Sequence, residues 1–113
     1  MKIIESKIKN LPGTVGLYDP IPLDKVYLLE ELIYERNKAD AAPEHRAELH
    51  RDFFKAVFSC VQEWHLEGLP SAVALEDLSI GGKLKRRVVA ELENWLTAEV
   101  MTLYYEDDTD PNA

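Results

Sequence analysis

The chain has one cysteine, Cys60, among its 113 residues, which excludes an internal disulfide and, at this size, argues against a disulfide-stapled secreted scaffold. A reducing compartment is expected. Long apolar runs are missing too: uncharged stretches such as Ala56 to Gln62 fall far short of the roughly 20 residues that span a bilayer. The N-terminus reaches Glu5 directly after Ile3 and Ile4, whereas a signal peptide needs a middle region of about 7–15 apolar residues. The expected location is therefore cytoplasmic. Bases are scarce, 13 against 21 acids, and the net charge of −8 repels a nucleic-acid backbone. Only 5 Gly and 6 Pro accompany 46% hydrophobic and 30% charged residues, so the chain reads as an ordinary folded globule with room for one domain.

Two β-prone runs, residues 2–9 and 14–18, flank Asn10-Leu11-Pro12-Gly13. Proline at the second turn position and glycine at the third suit a type II turn, so a small hairpin over residues 2–18 is expected. Alone it would be marginal in water and must lie on helices or pair its edge with another chain. Asp19-Pro20-Ile21-Pro22 can cap and start a helix over about 20–37. On that helix Val26, Leu29 and Ile33 form one apolar stripe and Leu23, Tyr27 and Tyr34 a second, wider together than one core requires.

A second helix is expected over about 44–66, stopped by Gly68 and Pro70, with Leu49, Phe53, Phe54, Val57, Phe58, Cys60, Val61 and Trp64 covering about half its circumference. It reads as the central helix. Leu69 to Gly82 mixes turn residues with Val73, Leu75, Leu78 and Ile80 and reads as an ordered loop held down by apolar contacts. A third helix over about 83–104 places Leu84, Val88, Leu92, Trp95, Leu96, Val100 and Leu103 on one face. Residues 106–113 carry four acids and no base and read as a flexible acidic tail. The fold class is mainly α, a three-helix domain with a small N-terminal β-hairpin.

Reactive constellations are absent from the pattern. His45, His50 and His65 do not fall at the i, i+4 spacing of a helical metal site, and no Cys-x-x-Cys occurs. On the helix expected there, His50 falls at the edge of the core and His65 on another side from Cys60. Glu63 and Glu67 stand one turn apart as a solvated pair, and Gly81-Gly82-Lys83 lacks the rest of a phosphate loop. No enzyme and no cofactor are expected. Two sets of charges do not fit a simple monomer. Lys83, Lys85, Arg86 and Arg87 crowd the positive end of the third helix, where cations are mildly unfavourable. They form either a solvated face or a docking site for an acidic partner, such as the acidic tail of a neighbouring copy. Glu99 sits among Leu92, Trp95, Leu96 and Leu103, so it must reach water or meet a cation on another helix or subunit.

Two stretches carry a resemblance: Leu11-Pro12-Gly13-Thr14-Val15-Gly16-Leu17-Tyr18-Asp19-Pro20 and Val61-Gln62-Glu63-Trp64-His65-Leu66-Glu67-Gly68-Leu69-Pro70. The chain resembles the small tail assembly chaperones of long-tailed bacteriophages, in which a proline-glycine hairpin precedes a helical body and a tryptophan-containing helix closed by glycine and proline sits mid-chain. The resemblance covers about half the chain and implies a protein that oligomerises and holds the helical tape measure protein until the tail tube polymerises around it. Tape measure and tail tube proteins are then the implied partners, in the host cytoplasm, with no catalytic residue and no membrane or nucleic acid involved. Leu23, Tyr27 and Tyr34 are the expected self-association or client face. A different reading, from the −8 charge and the Glu106 to Asp110 run, is an acidic inhibitor or decoy for a basic nucleic-acid-handling protein.

Overall fold

A computed structural model describes residues 1–38, 42–69 and 84–109. The fold is mainly α, with three helices and a small three-stranded antiparallel sheet. In chain order the elements are β1 (Lys2–Glu5), β2 (Gly13–Leu17), α1 (Leu23–Arg36), α2 (Pro43–Ser59), β3 (Val61–Leu66) and α3 (Arg86–Thr109). The expected hairpin is part of this sheet. β2 runs between β1 and β3, with Ile4 opposite Val15 and Val15 opposite Trp64.

The turn between β1 and β2 does not use Pro12 and Gly13 at its corner. The chain reverses earlier, where the Leu11 amide donates to the Ile8 carbonyl at 3.1 Å and the Ile8 amide donates to Ser6 Oγ at 3.1 Å. Pro12 and Gly13 instead lead into β2, and their carbonyls accept from Glu67 and Ser6. Gly13 adopts φ +135°, a conformation that L side chains rarely take.

The second expected helix is corrected in its last third. α2 ends at Ser59, with Cys60 closing it through a 3.0 Å bond from its amide to the Val57 carbonyl, and the chain turns into β3. Trp64 and Leu66 then point inward while Glu63 and His65 point out, the two-residue alternation of a strand with one buried face. A register shift sets Leu17 opposite Val61 and Gly16 opposite Glu63, leaving Gln62 as the extra residue of a bulge. The Tyr18 amide bonds the Cys60 carbonyl at 3.0 Å and ties the end of α2 to β2.

The first helix begins three residues later than expected, and Asp19 does not cap it. Pro22 occupies the cap position, makes no side-chain bond there, and accepts the Lys25 and Val26 amides through its carbonyl. α3 opens where the Lys85 carbonyl accepts the Val88 and Val89 amides, and it runs through Thr109. The expected tail thus loses residues 106–109 to the helix; residues 110–113 lie outside the described residues, as does most of the expected loop, residues 70–82. Val88, Leu92, Trp95, Leu96, Val100 and Leu103 are all buried, so the apolar face expected for this helix is the face that packs. α2 lies at the centre, touching α1, α3 and β3. Leu49, Phe53, Val57, Phe58 and Cys60 are buried, so its wide arc is covered within the chain.

Candidate functional site

α1 shows what remains uncovered. Leu29 and Leu32 are buried, and Val26 and Ile33 pack partly against the core. Leu23, Tyr27 and Tyr34 are 64%, 62% and 66% exposed, and Leu28 is 42% exposed. At about 100° per residue the first three fall within an arc of about 40°, spaced i, i+4 and i+11 along roughly three turns. Three large side chains thus form one continuous row on the side away from the core. Scattered exposed apolar residues are ordinary on a protein surface, whereas an aligned row is the arrangement that a docking face for another helix requires.

Acids border the row. By the same angular reckoning exposed Glu30 lies on one flank and exposed Asp24 and Glu31 on the other. The cation at the end of the row, Lys38, is already engaged: its Nζ lies 3.1 Å from Glu35 Oε1 and 4.9 Å from the Tyr34 ring centroid. Leu28 points toward α2, where with Leu32, Ala56, Glu31 and Asp52 it lines a shallow cavity of about 440 Å³. Around the end of α1, Arg36 lies 4.2 Å from the Phe53 ring centroid and shares a cleft of about 300 Å³ with Arg46, Leu49 and His50.

The other singled-out charges are dispersed. Lys83 lies outside the described residues, while Lys85, Arg86 and Arg87 are exposed at the start of α3. Glu99 lies in the interior of α3, and the cation it meets is on neither another helix nor another subunit. Its Oε1 lies 3.9 Å from Nζ of Lys7 in the β1–β2 connection, a loose pair in which Lys7 is 78% exposed. His50 is exposed and its ring packs on Phe54 at 5.4 Å, so it is a surface group and not a core-edge histidine. His65 stands with Glu63 on the outer face of β3 at 3.1 Å, a pairing that two-residue strand spacing produces and the expected helix does not.

Nothing among the described residues assembles a reactive centre. Cys60 is buried, its Sγ donates to the Ala56 carbonyl at 3.5 Å, and burial raises its thiol to about 11, so it stays protonated. Burial also pushes the Glu93 carboxyl above its ordinary value. The described residues hold no cluster of three or more His, Cys, Asp or Glu that could bind a metal ion, and none of their helices is long and apolar enough to cross a membrane. Two buried polar atoms, Trp95 Nε1 and Thr97 Oγ1, have no hydrogen-bond partner among the described residues. The site that stands out is the acid-bordered row on α1. Compared with known proteins, the chain matches no family model, no curated protein and no solved structure.

Proposed function

We propose that this chain is a small, non-enzymatic tail assembly chaperone of a long-tailed bacteriophage, which binds the tape measure protein, the tail tube protein or both, and self-associates in the host cytoplasm. The observation that carries the reading is the aligned exposure of Leu23, Tyr27 and Tyr34 along one side of α1. A chaperone for helical clients needs such a face and needs no reactive group. The two stretches that carry the resemblance also lie side by side, as β2 and β3 with Gly13 opposite Leu66. The second is a strand here, a departure from the helix that the resemblance implies.

The test is co-expression with the tape measure protein of the same phage. The chain is expected to keep that client soluble and to co-purify with it, and light scattering is expected to find more than one copy in the free protein. A strict monomer that never improves the client's solubility removes the proposal.

A further inference from the structure

The row on α1 can be covered by a second copy of the chain or by a different polypeptide, and its border discriminates between them. In an antiparallel two-fold pairing centred between Tyr27 and Tyr34, each Tyr27 meets the other copy's Tyr34, and like flanks face each other, Glu30 against Glu30 and Glu31 against Glu31. In a parallel pairing opposite flanks meet, and Glu30 of each copy faces Glu31 of the other. Either arrangement gathers four exposed carboxylates at the middle of the contact. The cation at the end of the row, Lys38, is committed to Glu35 and to the Tyr34 ring. Like charges opposed in a partly desolvated seam count against a partner, which is how charged flanks exclude wrong pairings in paired helices.

We infer that the α1 face receives one amphipathic helix of another protein, with an apolar seam of about three turns and lysine or arginine on both flanks. The apolar seam covers Leu23, Tyr27 and Tyr34, and the flanking cations answer Glu30 on one side and Asp24 and Glu31 on the other. Self-association of the chain, where it occurs, uses other surfaces. The inference rests on the reading of α1 as a protein-docking face and not on the identity of the client.

The experiment uses the full chain and two fluorescein-labelled peptides of about 14 residues with the same leucine seam, one flanked by lysine and one by glutamate, followed by anisotropy at low and high salt. The lysine-flanked peptide is expected to bind at least about tenfold tighter than the other and to weaken as salt screens the flanks. Tyr27→Ser with Tyr34→Ser is expected to weaken it by about tenfold or more. Glu30→Lys with Glu31→Lys is expected to reverse the preference toward the glutamate-flanked peptide, which separates a local match from general attraction to an acidic protein. Binding indifferent to either double variant overturns the inference. So does a dimer that the tyrosine variant converts to monomer, which makes the occupant a second copy. A tyrosine variant that melts several degrees lower also overturns it, because the face is then covered by the chain itself. Selective peptide binding without client rescue removes the chaperone reading alone; client rescue unaffected by the tyrosine variant removes this inference alone.

Discussion

Gly13 is where the sheet is most sensitive to a single methyl group. Its φ of +135° lies in a region that L side chains rarely adopt, and a Cβ built there runs into the carbonyl oxygen of His65 on the neighbouring strand. The same Cβ also stands 3.0 Å from the His65 carbonyl carbon and from Leu66 Cα, so backbone and not a movable side-chain tip is in the way. Relief requires β2 and β3 to part, which strains the 2.9 Å bond from the Glu67 amide to the Pro12 carbonyl across that seam. Strain of about 1–3 kcal/mol and one weakened hydrogen bond at about 1 kcal/mol give a loss of about 2–4 kcal/mol for Gly13→Ala. Against a total of about 5–15 kcal/mol that is a large fraction. Urea unfolding read by the fluorescence of Trp64 and Trp95, both buried, measures it. Gly68→Ala is the control, since φ there is +85° but nothing lies within 4 Å of the added Cβ; its cost is about 1–2 kcal/mol. Gly16→Ala meets Met1 Sδ at 2.6 Å, the end of a flexible side chain, and costs less than Gly13→Ala. A Gly13→Ala protein no less stable than Gly68→Ala would refute the pairing of β2 with β3.

Three further outcomes follow from polar groups taken partly or wholly out of water. The folded Cys60 thiol keeps its proton up to about 11 while the unfolded one loses it near 9.0, so this contribution to stability is complete below 9.0 and is lost as pH rises toward 11; it amounts to about 3 kcal/mol. Urea midpoints across that range should fall further for the native sequence than for Cys60→Ala, and equal falls would contradict the burial of the thiol. Glu93, raised by burial, favours folding when protonated and loses that contribution as pH rises through its folded pKa. Glu93→Gln should therefore raise the melting temperature at neutral pH and leave it unchanged well below 4.5; no gain at neutral pH counts against desolvation of this half-buried carboxylate. Thr97→Val replaces a buried hydroxyl that has no partner among the described residues with a methyl of the same shape, so its unfolding free energy should be unchanged or higher by up to about 1 kcal/mol. A loss above about 1 kcal/mol would show that the hydroxyl is bonded.

The face of α3 was legible in the sequence because seven apolar residues recur at helical spacing with polar residues between them, and six of them are buried. The end of α2 was not, because Trp64 satisfies two periods. It stands four residues after Cys60 and seven after Val57, which continues the helical arc, and it also alternates with Glu63 and His65 in a strand pattern. The tertiary partner decided: β2 offers Val15 and Leu17 to Trp64 and Val61, and no local signal reports a strand more than 40 residues upstream. Pro12-Gly13 misled for a related reason. The pair has the chemistry of a turn corner, yet the glycine is needed where β3 passes close to the start of β2. The pairing of Glu99 with Lys7 was likewise unreadable, because it joins α3 to a connection more than 90 residues earlier in the chain.

Both α1 and α2 have apolar arcs wider than a surface helix needs, and the structure treats them differently for a reason of placement. α2 is wedged among α1, α3 and β3, so neighbours on several sides absorb its phenylalanines. α1 packs chiefly on α2, and one side cannot take both of its stripes. Besides Leu28, which faces the shallow cavity toward α2, the surplus on α1 consists of Leu23, Tyr27 and Tyr34, and the choice of residue there is informative. Lysine or glutamine at 27 and 34 would suit a face that meets only water, and leucine would suit one that is always covered. Tyrosine serves both conditions, since its hydroxyl stays hydrated in the free chain while its ring supplies a large, rigid contact area when a partner arrives. Carboxylates beside the rings would keep two copies from meeting at this face by the same charge that would attract a basic helix, so one set of residues would serve both exclusion of its own kind and selectivity for a partner.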